Sequence, residues 1–271
     1  MGSRLTAAEM AATIVASLGT TVRATTVDGF LAGDSHAPVT GIATTMMATM
    51  DVLERAMVQK ANFIVTHEPA FWDHRNQAVD ALISEWDQVY AQKLAFIERN
   101  GLVIWHLHDA MHDMRPDLVD RGTLKQLGWA VPDDYPAIVG IEPVRLADLA
   151  SRIAKRLGAS SARYIGQPDL HVSGVGLALG FRGSDNVRHL LQDPRVQAVV
   201  IGEAHEWEVG AYAADAATLG FSKALIVVGH IPSEQYGMAE MAEIIRRLTD
   251  VPVSFIPCRD PYSGVGWAHR D

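Results

Sequence analysis

Apolar and polar positions follow two rhythms along this chain, and each rhythm predicts one kind of element. Apolar residues recurring every three to four positions mark amphipathic helices. The first such stretch opens on Thr6-Ala7-Ala8-Glu9, a capping-box pattern, and stops near Gly19. Further helices are expected over Met50 to Lys60, about Ile83 to Asn100, Arg145 to Leu157, Asn186–Leu191, Trp207–Leu219 and Gln235–Leu248. Between Arg145 and Leu157, the residues Leu146, Leu149, Ile153 and Leu157 fall near one face, and Gly158 supplies the stop. The second rhythm is a short unbroken apolar run: Asn62–Thr66, Leu102–His106, Gly174–Gly180, Ala198–Ile201, Ala224–Val228 and Val251–Ile256. These runs are too short for helices and rich in Val and Ile, which suits strands buried on both faces. Their alternation with helices predicts an α/β protein with largely parallel sheets, more than one in number. The stretch Val131–Ile141, rich in Pro, Asp and Gly, reads as a domain boundary.

The chemistry collects where four of these runs end. One leads into His67-Glu68-Pro69, the next into His106-Leu107-His108-Asp109-Ala110-Met111-His112-Asp113. The third leads into Glu203-Ala204-His205-Glu206 and the fourth into His230-Ile231-Pro232-Ser233-Glu234. In open α/β sheets the ligand crevice lies beyond the carboxyl ends of the strands. Seven of the eleven histidines (67, 74, 106, 108, 112, 205 and 230) fall at or just after such an end. One histidine there is commonly a hydrogen-bonded structural residue, but four clusters at equivalent positions point to metal. His108 and His112, four apart, can share one ion if the segment is helical, and the same spacing joins His230 to Glu234. Imidazole with carboxylate suits Zn, Fe, Mn, Co or Ni rather than Ca or Mg.

Composition narrows the partners. The 271 residues are 48% hydrophobic and 20% charged, with a formal net charge of -9. That balance suits a folded globular chain and argues against a sequence-independent grip on nucleic-acid phosphates. The single cysteine, Cys258, excludes an intrachain disulfide framework and fits a reducing compartment. The N-terminus lacks the pattern of a secretory signal, and no apolar run approaches the ~20 residues of a membrane span. A soluble, cytoplasmic protein is the expectation.

The order of these motifs resembles the Nif-three-like dinuclear-metal family, members of which are described as type-two GTP cyclohydrolase I. The resemblance begins with Asp28-Gly29-Phe30-Leu31-Ala32-Gly33-Asp34 and Val39-Thr40-Gly41-Ile42. It continues through His67-Glu68-Pro69, His108 to His112, Gly202-Glu203-Ala204-His205 and Gly229-His230-Ile231-Pro232-Ser233-Glu234, covering about residues 27–257. Two positions depart from the family pattern. Glu68 stands where the family has the second His of His-His-Pro, and His112 stands where it has the Asp of His-x-x-x-Asp. Taken together the departures exchange one His and one carboxylate. The implied ligand set, His67, Glu68, His112, His230 and Glu234, keeps three histidines and two carboxylates. With Glu68 on the surface instead, the site would be mononuclear. Asp109 and Asp113 are reserve ligands, His108 is a further candidate, and Glu203, His205 and Glu206 are candidates to orient ligands from behind.

The resemblance implies two divalent ions per chain, Zn, Fe or Mn foremost, able to acidify a water at neutral pH. It implies an α/β fold of two similar lobes with mostly buried mixed or parallel sheets and flanking helices, and a metal site in the cleft between them. One lobe is expected to comprise residues 1–130 plus 231–271, with 131–230 as the second, inserted lobe. A homo-oligomer, by resemblance a hexamer, is also implied. Two functions follow: a metal-dependent hydrolase of a small nucleotide-like or polar substrate, or a non-enzymatic metal-binding scaffold or regulatory protein. No phosphate loop of Walker type is present in the sequence.

Overall fold

The computed structural model describes residues 5–21, 23–74, 77–132, 137–160 and 162–262. The chain divides into two compact units, Met1–Val119 with Gly237–Cys258, and Asp120–Tyr236 with Arg259–Asp271. The stretch 131–141 therefore lies inside the second unit, where strand β5 (Ile138–Arg145) begins; residues 133–136 of it are outside the described residues.

In the first unit, helix α1 (Ala7–Leu18) starts at the expected capping box: Thr6 accepts from the Glu9 N–H, and Glu9 reaches back to the Thr6 N–H. It ends at Gly19 with φ 66, a left-handed conformation that glycine adopts without a Cβ penalty. The sheet has five strands in the order β1 (Gly29–Ala32), β4 (Val103–His106), β3 (Phe63–Glu68), β2 (Ile42–Met47) and β10 (Val253–Phe255). All neighbours run parallel except β1, which pairs antiparallel with β4. Strand β2 was not among the expected apolar runs because it carries Thr44 and Thr45. Both are fully buried, and the Thr44 hydroxyl donates to the Met238 carbonyl. Phe30, Phe63 and Trp105 pack together across β1, β3 and β4, with ring centres 5.9–6.4 Å apart.

Three helical expectations are corrected. The stretch from Ile83 to Asn100 is not one helix but two, α3 (Gln77–Ser84) and α4 (Gln88–Arg99). Trp86 takes φ 58 between them, and the Asp87 side chain caps the Tyr90 N–H, so the periodicity continues across a break. The helix expected from Gln235 begins five residues earlier, as α10 (His230–Arg246), because Pro232 sits in its first turn, where no N–H is required. The Trp207–Leu219 stretch opens as a π-helical turn, Glu206–Gly210, before α9 (Ala211–Thr218). Helix α2 (Met50–Val58) is close to expectation. The short α5 (Asp109–His112) makes helical the segment on which the His108–His112 pairing depends, and α6 (Leu118–Leu127) matches no expected stretch.

The second unit holds another five-stranded mixed sheet, in the order β5, β7 (His171–Ala178), β8 (Ala198–Ile201), β9 (Ala224–Val227) and β6 (Arg163–Ile165). Its centre, β7-β8-β9, is parallel, and both edge pairings are antiparallel. Helix α7 (Leu146–Leu157) buries Leu146, Leu149, Ile153 and Leu157, the face read from the sequence, and stops at Gly158 with φ 68. Helix α8 (Ser184–Gln192) buries Val187, Leu190 and Leu191 in a core with Val199, Ile201 and Leu225 of the sheet. Each unit is thus a mixed α/β layer. Among the described residues no helix is long and apolar enough to cross a membrane.

Candidate metal centre

The carboxyl ends of β3 and β4 carry a cluster of titratable side chains. His67 and Glu68 are the last two residues of β3 rather than beyond it, His106 closes β4, and His108 precedes the single turn of α5 (Asp109–His112) as its N-cap. That turn is held by Asp28, whose carboxylate accepts from the backbone N–H groups of His108, Asp109 and Ala110 at 2.6, 2.8 and 3.0 Å. A carboxylate there satisfies donors that a helix start leaves without intrahelical partners. The turn brings His108 and His112 onto His67. Ring centres are 4.7 Å apart for His67–His108, 5.0 Å for His67–His112 and 4.6 Å for His108–His112. One nitrogen of each of these three lies within 4.8 Å of the others.

The Nδ1 of each imidazole faces an oxygen. His67 Nδ1 is 3.3 Å from the Leu107 carbonyl, His108 Nδ1 3.1 Å from Asp109, and His112 Nδ1 2.9 Å from Asp117. A carbonyl or carboxylate accepts, so Nδ1–H donates and the basic lone pair belongs to Nε2. This arrangement sets the tautomer of metal-binding histidines. Burial pushes the His108 pKa down to about 3, helped by His67 and His112 and opposed by Glu68 and Asp109, so its ring is a neutral donor at physiological pH.

Asp109 and Asp113 face another cation. Arg23 forms a two-point pair with Asp113 at 2.7 Å and reaches Asp109 at 3.1 Å. Burial pushes the Asp109 pKa upward, but bonds from His108, Val27 and Thr26, with Arg23 nearby, outweigh it and hold the carboxyl below its ordinary value. The Arg23 bond lowers Asp113 likewise. Glu68 is buried and lies 3.1 Å from His74. Sequence reasoning assigned no role to Asp28 as a cap or to Asp117. The one legible signal for Asp117 is an acid five residues after His112; its buried placement, also accepting from the Val119 N–H, comes from the fold.

In the second unit, His230 and Glu234 sit one turn apart at the start of α10, with His230 Nε2 3.1 Å from Glu234. His230 Nδ1 is 2.8 Å from Glu203 Oε1. His205 instead bonds Glu208 at 3.2 Å and stacks on Trp207, while Glu206 pairs with Arg163. Gly180, at φ 65, stands against Glu234: a Cβ there would overlap the carboxylate. The glycine thus makes room for the Glu234 carboxylate.

A profile of the family described as Duf34/NIF3 (NGG1p interacting factor 3) matches residues 20–261. The chain belongs to the Duf34/NIF3 family. Among its relatives, a Vibrio cholerae protein named GTP cyclohydrolase 1 type 2 homolog is 24% identical over 230 residues, covering 81% of this chain and 85% of that one. A Clostridium acetobutylicum protein of the same name is 24% identical over 154 residues; that match spans 52% of this chain and only 55% of the relative's length. The crystal structure of a Bacillus cereus protein related to NIF3 superposes with a TM-score of 0.76 at 13% identity, covering 97% of this chain and all (100%) of that one. At such identity the superposition establishes a shared fold. This Duf34/NIF3 chain carries side-chain groups able to hold a metal ion.

Proposed function

We propose that this Duf34/NIF3 protein is a divalent-metal-dependent hydrolase acting on a small polar or nucleotide-like substrate. The carrying observation is the convergence of His67, His108 and His112, with Nδ1 of each turned to an oxygen acceptor. Two ring separations, 4.7 and 5.0 Å, bracket little more than the spread expected for imidazoles sharing a tetrahedral ion, about 5 Å for N–metal bonds of about 2.0–2.1 Å. Three protein donors leave a coordination position for water or substrate, the pattern of catalytic rather than structural sites. A bound ion would supply Lewis acidity, making water nucleophilic near neutral pH.

The chain's own residues then have definite tasks. Asp117 and the Leu107 carbonyl fix the His112 and His67 rings, and Asp28 fixes the turn that presents His108. Glu68 in the first unit and His230 with Glu234 in the second are further proposed metal donors, with Glu203 bonded to His230. The nucleotide-like substrate class draws on the printed names of the relatives. A homo-oligomer remains part of the proposal.

The test is an activity screen of the metal-reconstituted full chain against nucleotides, phosphoesters, amides and cyclic amidines, beside its His112→Ala variant. Metal-dependent turnover that the variant loses is expected. Metal binding with no turnover across the panel would overturn the hydrolase in favour of a metal-binding scaffold, and turnover by the chelated protein would overturn the role of the ion.

A further inference from the structure

We propose that the second unit holds a binding site for a small molecule joining a flat aromatic ring to a phosphate group, in the groove between the end of α6, the edge strand β5 and α7. The groove has a volume of about 670 Å³. Small-molecule sites occupy roughly 300–1,000 Å³. No residue of the groove belongs to the motifs that carry the family resemblance. The inference goes beyond the hydrolase reading and does not depend on it.

Positive charge is the first recognition element. Arg152, Lys155 and Arg156 stand on one face of α7 at spacings of three and four, exposed to solvent at the groove. Asp148, one turn before Arg152, is drawn to Arg145 at 3.9 Å instead. Among the described residues no ion pair joins the three cations to a carboxylate. The dipole of α7 favours Lys155 and Arg156 in its last turn, but Arg152 lies before that turn. Glu142 also lines the groove, and three cations against one carboxylate leave it cationic on a chain of net charge -9. Arginine binds phosphate through paired, charge-assisted hydrogen bonds.

The ring contact comes from Trp129. Gly128, at φ 76, turns the chain out of α6, and the Trp129 N–H closes that turn on the Leu124 carbonyl at 2.9 Å. The indole therefore lines the groove from a fixed backbone, together with buried Leu149 and Ile153. Gln126 Nε2 donates to the Arg156 carbonyl at 2.8 Å, which ties the ends of α6 and α7 together. An extended peptide fits less well. The β5–β7 ladder is irregular between Gly140 and Val144, and Pro143 there has no N–H to offer, both of which discourage strand addition at a sheet edge.

The probes are ADP, pyrophosphate and adenosine, titrated calorimetrically into the metal-free full chain in the presence of chelator. An Arg152→Gln/Lys155→Gln/Arg156→Gln variant is titrated beside it; these side chains are exposed, so the core is untouched. ADP is expected to bind the wild type more tightly than either fragment. The triple variant should bind ADP at least about tenfold more weakly, the worth of one charge-assisted hydrogen bond. A Trp129→Ala variant with an unchanged circular dichroism spectrum should lose roughly fivefold or more in ADP affinity and keep its affinity for pyrophosphate. No ADP binding by the wild type, or equal affinity in the triple variant, would overturn the site. Pyrophosphate binding as tightly as ADP would overturn the ring-bearing ligand. None of these outcomes touches the hydrolase reading, because the readout uses neither metal nor turnover.

Discussion

Asp117→Asn separates positioning from mere folding at the histidine cluster. The Asp117 side chain is buried, with one oxygen 2.9 Å from His112 Nδ1 and the other 2.9 Å from the Val119 N–H. Both neighbours are donors. An asparagine has one acceptor oxygen and one NH2 group, so it serves only one of them and turns a donor toward the other. If the oxygen keeps Val119, the NH2 faces His112 and favours the tautomer with its lone pair on Nδ1, away from the cluster. If it keeps His112, the ring still exchanges a charged acceptor for a neutral one. Replacing such a partner commonly costs roughly 10–100-fold in metal affinity, which is about 1.4–2.8 kcal/mol. The assay is competition for Zn(II) against a chromophoric chelator, with thermal unfolding measured in parallel. Asp113→Asn is the control, because Asp113 is bonded to Arg23 rather than to a histidine. An Asp117→Asn affinity within twofold of wild type, or an equal loss in Asp113→Asn, would refute the reasoning.

Three further outcomes are expected. Lys93 is buried beside the rings of Phe71 and Trp72, bonded to the Ala70 carbonyl, and burial lowers its pKa to about 8. Because the folded pKa lies below the unfolded 10.5, the unfolded chain binds more protons between these values, so this residue's contribution to stability rises from about pH 8 to about 10.5. The shift corresponds to about 3 kcal/mol, and losing the Ala70 bond offsets part of it. Lys93→Met should therefore be about 1–2 kcal/mol more stable in urea at pH 7 and lose that pH slope; a wild-type-minus-variant difference flat from pH 7 to 10 would count against it. Glu68→His and His112→Asp should each weaken metal binding, and the double variant, which restores the usual family arrangement, should recover occupancy that at least one single variant loses, since His108 lies within reach of both positions. Additive losses would instead mean that the two positions do not share a site. Light scattering at micromolar concentration should give a mass above one chain, and a concentration-independent monomer would remove the oligomer.

The sequence by itself determined the elements whose signals are local. Ala198–Ile201 is a strand with the bounds its apolar run implied, and Thr6 and Gly158 delimit helices through caps a few residues long. It also determined where the chemistry collects, because parallel strands deliver their carboxyl ends to one edge of a sheet. Tertiary structure decided whatever depends on distant partners. Strand β2 hides its threonines by bonding residues far along the chain, such as Met238, so its polar letters masked a buried strand. The break at Trp86 interrupts a periodicity that continues on both sides. Above all, the fold decided which imidazole nitrogen carries the lone pair. His106 is turned by the carbonyl of Val27, His67 by that of Leu107 and His112 by buried Asp117. Every residue carries a backbone carbonyl, so no sequence pattern marks the one that will accept from a given ring. Only the packing of β1, β3, β4 and α5 sets which nitrogens point at one another.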